Sequence, residues 1–365
     1  MIDLRAEAHL HNTLVRRRLD ELVPSLLEEA DIDCWVLIGR EYAEDPVLAT
    51  MLPAEWLSAR RRTILVLTPT NRYAVARYAV GISPVQAHAD GLTSAEHRAL
   101  LAALPVRIAE RIVPAGTLGI RWLETRLPDE RPVMADATAR AHEILRRGLS
   151  REAIEPGTTT TDDLVWWYRQ TVHDAGFDSW FQPSVTIQRP GPLDPVIRPG
   201  DLLHVDFGII DRSMCTDQQE HAYVLEADQT SAPADLTDGL HRANRIQDIL
   251  LGEFALGRTG NHVLAAARER AMAEGLRPTI YTHSIGLHGH GAGMTIGLWD
   301  VQDGVPGAGD HPLHANTAYS IELMGEYDVA DWGGRTVRFM LEQDAWFDGD
   351  ACTWLDARQE ELWLV

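Results

Sequence analysis

Two carboxylates set in apolar surroundings are the first residues that suggest chemistry. In the run from Asp201 to Gly208 (DLLHVDFG), Asp206 has strongly apolar neighbours, and burying an unpaired carboxylate there is costly. Asp217 follows eleven residues later, and the Gly208 to Thr216 stretch between them has the length of a hairpin connection. Pairing across that hairpin brings Asp217 beside Asp206. Like charges at that separation repel unless a cation or a shared proton lies between them. On this pair alone, a surface turn starting at Asp217 is an equal reading.

A histidine loop comes next. The stretch Thr282 to Gly293 (THSIGLHGHGAG) carries His283, His288 and His290 in a backbone loosened by four glycines. Neutral imidazole is a common ligand of divalent transition metals, although a plain turn explains such a loop equally well. Two glutamates follow, Glu322 after Ser320 and Ile321, and Glu342 after Phe339, Met340 and Leu341. Each is expected at the end of an apolar, strand-like run. An isolated acid so placed is usually the last exposed residue of its strand; two of them, following two aspartates and a histidine loop in that order, shift the balance toward a functional set.

The elements that must position these residues fall into two parts. Residues 13–30 repeat apolar positions at helical spacing, with Pro24 expected to kink or divide the helix. Cys34 to Gly39, Arg62 to Thr68 and Tyr73 to Val80 read as strands, and Thr93 to Glu96 has the spacing of a helix-opening capping box. Clustered Pro114, Gly116, Gly119 and Pro128 suggest a boundary, which divides the chain into an α/β domain over 1–115 and a catalytic domain over 116–365. In the second part, hydroxyls and acids from Thr159 to Asp163 cap a helix from Leu164 to Ala175, and Gly176 stops it. Trp166, Trp167 and Tyr168 on that helix read as packing residues. Strands over 202–207 and 222–225, helices over 238–256 and 260–275, and short strands from 279 onward complete an α+β pattern.

Composition narrows the function. At 365 residues, 45% hydrophobic and 24% charged, the chain is long enough for two domains and is ordinary for a globular protein. A formal net charge of −21 argues against nucleic acid as a partner. The apolar runs are too short to span a bilayer, and the first twelve residues (MIDLRAEAHLHN) lack the apolar region of an export signal. Cys34, Cys215 and Cys352 are scattered and odd in number, as in a reducing compartment. Cytoplasm is the expectation.

The order Asp206, Asp217, His283, Glu322, Glu342 resembles the pita-bread metallopeptidases, the family of methionine aminopeptidase, aminopeptidase P and prolidase. The eleven-residue spacing of the aspartates matches the family's hairpin pair, and His283 and His290, seven apart, match its ligand histidine and substrate histidine. Ile285 and Gly286 stand where the family often has an aliphatic-Gly pair. The N-terminal part is similar to the smaller domain of the aminopeptidase P, prolidase and creatinase branch. Arg40 to Asp45 (REYAED) and Trp180 to Val185 (WFQPSV) are similar to bacterial Xaa-Pro dipeptidases.

The resemblance implies a pita-bread catalytic domain and five metal ligands. It implies Glu322 as general base and His290 as hydrogen-bond donor to the scissile carbonyl. It further implies two divalent ions shared by Asp206 and Glu342, hydrolysis of an Xaa-Pro bond at a peptide N-terminus, and a homodimer. Four carboxylates and one imidazole suit manganese, cobalt, iron or zinc without selecting among them; manganese is the first expectation, and such ions lower the pKa of water. The chain departs from the family's pattern at Leu323 (usually Pro), Met340 (often Arg), Glu220 (often Arg), and Gln188 or Arg189 (an ancillary His). Dipeptides are the expected substrate. The alternatives are an aminopeptidase acting on longer peptides, a non-enzymatic peptide-binding module, a creatinase-like amidinohydrolase, and a small-molecule hydrolase using the same metals.

Overall fold

Asp3 opens the first helix by accepting hydrogen bonds from the backbone N–H groups of Arg5 and Ala6, so that α1 spans Leu4–Arg17. A π-helical turn, Arg18–Leu22, leads directly into α2, Val23–Glu29. Pro24 therefore does not divide the helix. The widened turn just before it absorbs the missing donor and the bulk of the ring. The structure, a computed structural model, describes residues 3–76, 80, 85–88 and 112–365; the capping box expected at Thr93 to Glu96 lies outside them.

The chain forms two compact units, Met1–Leu123 and Glu124–Val365. In the first, β1 (Trp35–Gly39), β2 (Thr63–Leu67), β3 (Arg72–Ala76) and β4 (Val85–His88) form one sheet in sequence order. The first three strands are antiparallel neighbours, and β4 runs parallel to β3. Helix α3 (Pro46–Ala49) lies between β1 and β2, and α4 spans Gly116–Glu124. Trp122 on α4 is fully buried, with its indole N–H on the Thr50 hydroxyl at 2.8 Å.

The second unit is α+β. Helices α5 (Glu130–Gly148) and α6 (Thr161–Ala175) precede the strands. The α6 cap is local chemistry: Thr160 and Asp163 exchange bonds in a capping box, and Gly176 ends the helix at φ 82°. Tyr168 is buried on the Leu145 carbonyl at 2.9 Å. Trp166, by contrast, is 55% exposed beneath the Arg169 guanidinium, so it is not a packing residue.

The large sheet has the order β12-β11-β13-β14-β9-β6-β5, with β10 on β13, β15 on β14 and β16 on β9. Strand β5 is Ser184–Gln188, β6 Leu202–Phe207 and β9 Gln218–Tyr223. A small hairpin of β7 (Ile210–Asp211) and β8 (Met214–Cys215) lies between β6 and β9. Strands β10 (Pro278–Ile280), β11 (Thr282–Ile285) and β12 (Thr295–Ile296) lead to β13 (Thr317–Val329) and β14 (Arg335–Phe347), with β15 (Cys352–Trp354) and β16 (Trp363–Leu364) last.

Several boundaries differ from the sequence expectation. The strand expected at 222–225 starts at Gln218, because its polar first half is buried. Helices α7 (Ala234–Leu251) and α8 (Gly260–Ala273) replace 238–256 and 260–275. The region after 279 holds the two longest strands in the described chain, not only short ones. Their apolar pattern is broken by Ser320, Glu322 and Glu342, which turn inward.

Two clusters of the core pack helices against this sheet. Leu203, Val205 and Phe207 of β6 pack with Leu145 of α5 and Tyr168 of α6, while Ile321 and Leu323 pack with Ile246 of α7 and Leu264 of α8. Each such large side chain contributes about 1.5–3 kcal/mol on burial, which is what offsets burying several carboxylates in the same sheet. No helix among the described residues is long and apolar enough to cross a membrane.

Candidate metal centre

Strand β6 alternates, so burying Leu203 and Val205 on the helix side sends His204 and Asp206 to the opposite face. Asp206 pairs in register with Gln219, not with Asp217, which lies just ahead of β9. The two aspartates are thus diagonal neighbours. Glu322 and Glu342 are direct register partners in the β13–β14 ladder, and Glu342 pairs on its other side with Gln219. Both glutamates sit in mid-strand, where the ladder fixes their separation; neither ends its strand as expected. His283 on β11 pairs with Ser320 of β13.

These registers gather the residues that the sequence singled out. Three overlapping groups form, Asp217 with His283 and His290, His283 with Glu322 and Glu342, and Asp206 with Asp217 and Glu342. Within each, one ligand atom per residue lies within 4.8 Å of the others. Burial pushes Asp206 up to about 8, with the Glu342 carboxylate adding to the shift. Asp217 and Glu322 are raised well above the carboxylate range by burial first and then by Glu342.

The donor set fits divalent cations on two further observations. Asp217 Oδ1 and His283 Nε2 are buried without a hydrogen-bond partner. His283 Nδ1 lies 3.1 Å from the Ser284 carbonyl, an acceptor, so Nδ1 carries the proton and Nε2 presents a lone pair. That lone pair faces Glu342 Oε1 at 3.4 Å and Asp217 Oδ2 at 3.9 Å, an arrangement that a positive ion between them would relieve.

Around the cluster lies a polar frame. The Gln219 amide donates to Glu322 Oε1 at 2.8 Å and to Glu342 Oε2 at 2.6 Å. The Ser320 hydroxyl donates to Glu342 Oε1 at 2.6 Å. His204 Nε2 stands 2.9 Å from Gln219 Oε1, and burial holds this imidazole down at about 4, so it is neutral near pH 7. Asp344 accepts from the Gln218 amide, the Thr138 hydroxyl and the Asp217 backbone N–H. Sequence reasoning missed Gln219, Ser320 and Asp344. Strand alternation was the available signal, since each lies two residues from a named acid.

His290 is the one exposed member of the ligand groups. Its ring meets that of His283 edge-on, with centroids 4.6 Å apart, and it also faces Trp180 at 5.3 Å and Tyr281 at 6.0 Å. A Cβ at Gly289 would lie 2.4 Å from the Trp180 ring, so only glycine lets the loop approach that indole.

The residues that depart from the family's pattern are engaged by the scaffold. Gln188 clips β5 to β14 by exchanging hydrogen bonds with the Arg338 backbone at 2.7 and 2.9 Å. Arg189 pairs with Asp201 at 2.7 Å. Glu220, whose register partner is Val205, accepts from the Trp363 indole at 2.6 Å. Leu323 packs in the α7–α8 core, and the Met340 N–H donates to His221 Nε2 at 2.9 Å.

A family model described as metallopeptidase family M24 matches residues 133–341, more than half of the chain, and stops one residue short of Glu342. No curated protein matches the sequence. Among solved structures, the X-Pro aminopeptidase of Thermotoga maritima MSB8 is 17% identical, with 95% of this chain and 99% of that one covered at a TM-score of 0.63. A dipeptidase of Pyrococcus horikoshii OT3 is 17% identical over 95% of this chain and 100% of its own, with a TM-score of 0.66. The Xaa-Pro dipeptidase of Bacillus anthracis is 18% identical over 96% and 100%, with a TM-score of 0.61. At such identities the likeness is one of fold, and it extends over nearly the whole chain.

Proposed function

The chain belongs to metallopeptidase family M24, and from that premise we propose that this metal-dependent peptidase is a dinuclear exopeptidase cleaving the Xaa-Pro bond of dipeptides. The observation that carries the metal centre in this reading is the pair of buried, unpartnered atoms Asp217 Oδ1 and His283 Nε2 within a set of carboxylates; the Xaa-Pro specificity rests on the family resemblance. Asp206, Asp217, His283, Glu322 and Glu342 hold the ions, manganese being the first expectation. When bound, divalent ions supply Lewis acidity, which acidifies water and polarises a carbonyl. Glu322 takes the proton of the attacking water and returns it to the leaving amine. His290, exposed beside the cluster, donates a hydrogen bond to the oxygen on which charge develops. The free substrate amine lies against the acidic ligands, and Trp180 and Tyr281 wall the same side. We also take the enzyme to be a cytoplasmic homodimer.

Metal analysis and a peptide-length series test this together. Purified protein is expected to hold up to two transition-metal ions per chain, and to cleave Ala-Pro faster than Ala-Pro-Ala. Preference for the tripeptide would make it an aminopeptidase acting on longer peptides. A metal-loaded protein inert on the whole series would overturn the peptidase specificity, and a chain that takes up no metal after reconstitution would overturn the centre itself.

A further inference from the structure

We propose that Gln219 is a positioning residue that holds Glu322 and Glu342 ready for metal and thereby sets the affinity of the centre; the inference rests on the dinuclear reading above. Glu322 and Glu342 stand directly opposite one another in the β13–β14 ladder, where like charges are unfavourable. One neutral NH₂ group spans them, at 2.8 Å from Glu322 Oε1 and 2.6 Å from Glu342 Oε2. The amide has a fixed sense. His204 Nδ1 lies 3.4 Å from the Thr186 hydroxyl and Nε2 lies 2.9 Å from Gln219 Oε1, so an Nε2–H donates to the amide oxygen and leaves the NH₂ end for the carboxylates. Ser320 holds the remaining Glu342 oxygen at 2.6 Å.

Each carboxylate oxygen has two lone pairs, so accepting from Gln219 still leaves one free for an ion on every oxygen. The amide is therefore retained on loading, and its work is to pin two carboxylate rotamers beforehand. A glutamine also adds no charge to a centre already rich in carboxylates. Outer partners of this kind are worth about tenfold to hundredfold in metal affinity.

The experiment is calorimetric titration of Mn²⁺ into metal-stripped full-length protein, comparing wild type with Gln219→Leu. Gln219→Leu is expected to bind about tenfold to hundredfold more weakly. Its turnover at limiting Mn²⁺ should fall and recover when Mn²⁺ is raised, a rescue that a purely structural defect does not allow. If Gln219→Leu fails to fold, Gln219→Asn replaces it, since the shorter amide cannot reach both glutamates. Affinity within about twofold of wild type in a folded variant would overturn the inference and leave the dinuclear reading standing. Wild type that binds no Mn²⁺ would overturn both.

Discussion

At the scale of the residue, His290 is the side chain whose role can be separated most cleanly. It shares a ligand group with Asp217 and His283, yet it alone of that group is exposed at the residue level, and the partial burial of its ring, together with the neighbouring His283, holds its pKa below the ordinary value. A neutral imidazole at the edge of the centre suits a hydrogen-bond donor to a developing oxyanion. Removing such a donor typically lowers turnover by about 10²–10³. His290→Ala is therefore expected to lose kcat on that scale while Mn²⁺ affinity measured by calorimetry stays unchanged; a parallel loss of affinity would make it a ligand instead. His290 was legible only through the resemblance to a family whose ligand histidine is followed seven residues later by a substrate histidine, since the glycine-rich loop alone reads equally well as a plain turn. Gln219 was invisible because an amide has no ligand signature, and only the registers Asp206 with Gln219 and Gln219 with Glu342 show that it stands between the two halves of the centre.

At the scale of the element, legibility followed how local the determining chemistry is. The α6 cap was readable because Thr160, Asp163 and Gly176 act on their own neighbours. The lengths of β13 and β14 were not, because Glu322 and Glu342 interrupt the apolar pattern that marks a strand, and their burial is explained only by residues far away in the sequence. The β6–β9 connection makes the same point through Gly208. A Cβ there would lie 2.2 Å from the Thr216 carbonyl oxygen and 2.9 Å from the Trp180 indole nitrogen, whose own N–H donates to that carbonyl at 3.0 Å. The backbone oxygen cannot rotate away, so the chain must shift next to Asp217. Gly208→Ala is expected to destabilise the protein by about 1–3 kcal/mol and to weaken metal binding, read by thermal unfolding and titration. Gly191→Ala, with nothing within 4 Å of the added Cβ, is the control expected to change neither.

At the scale of the whole molecule, the buried acids couple folding to pH and to metal. Asp206 is pushed up to about 8, and Asp217 and Glu322 are also raised by burial, whereas unfolded carboxyls titrate at about 4. The metal-free native state therefore binds more protons than the unfolded chain, and stability falls as pH rises toward the folded values. His204 and His221, held down at about 4 and about 3 by burial, work in the opposite sense, losing stability as pH falls below about 6.5. As pH rises above that value the unfolded histidines give up their remaining protons, and the acids come to dominate. Metal-free protein is expected to lose about 1.4 kcal/mol per pH unit for each such proton between about pH 6.5 and about pH 8, a fall of several degrees in Tm. Saturating Mn²⁺ displaces those protons and should reverse the trend, because affinity grows as the ligands deprotonate and binding stabilises the native state by about 2.7 kcal/mol at a hundred times Kd. Scanning calorimetry with chelator and with Mn²⁺ across that window should give two Tm lines that diverge as pH rises. Parallel lines would mean that the carboxylates of β6, β13 and β14 are not the groups through which metal holds the fold.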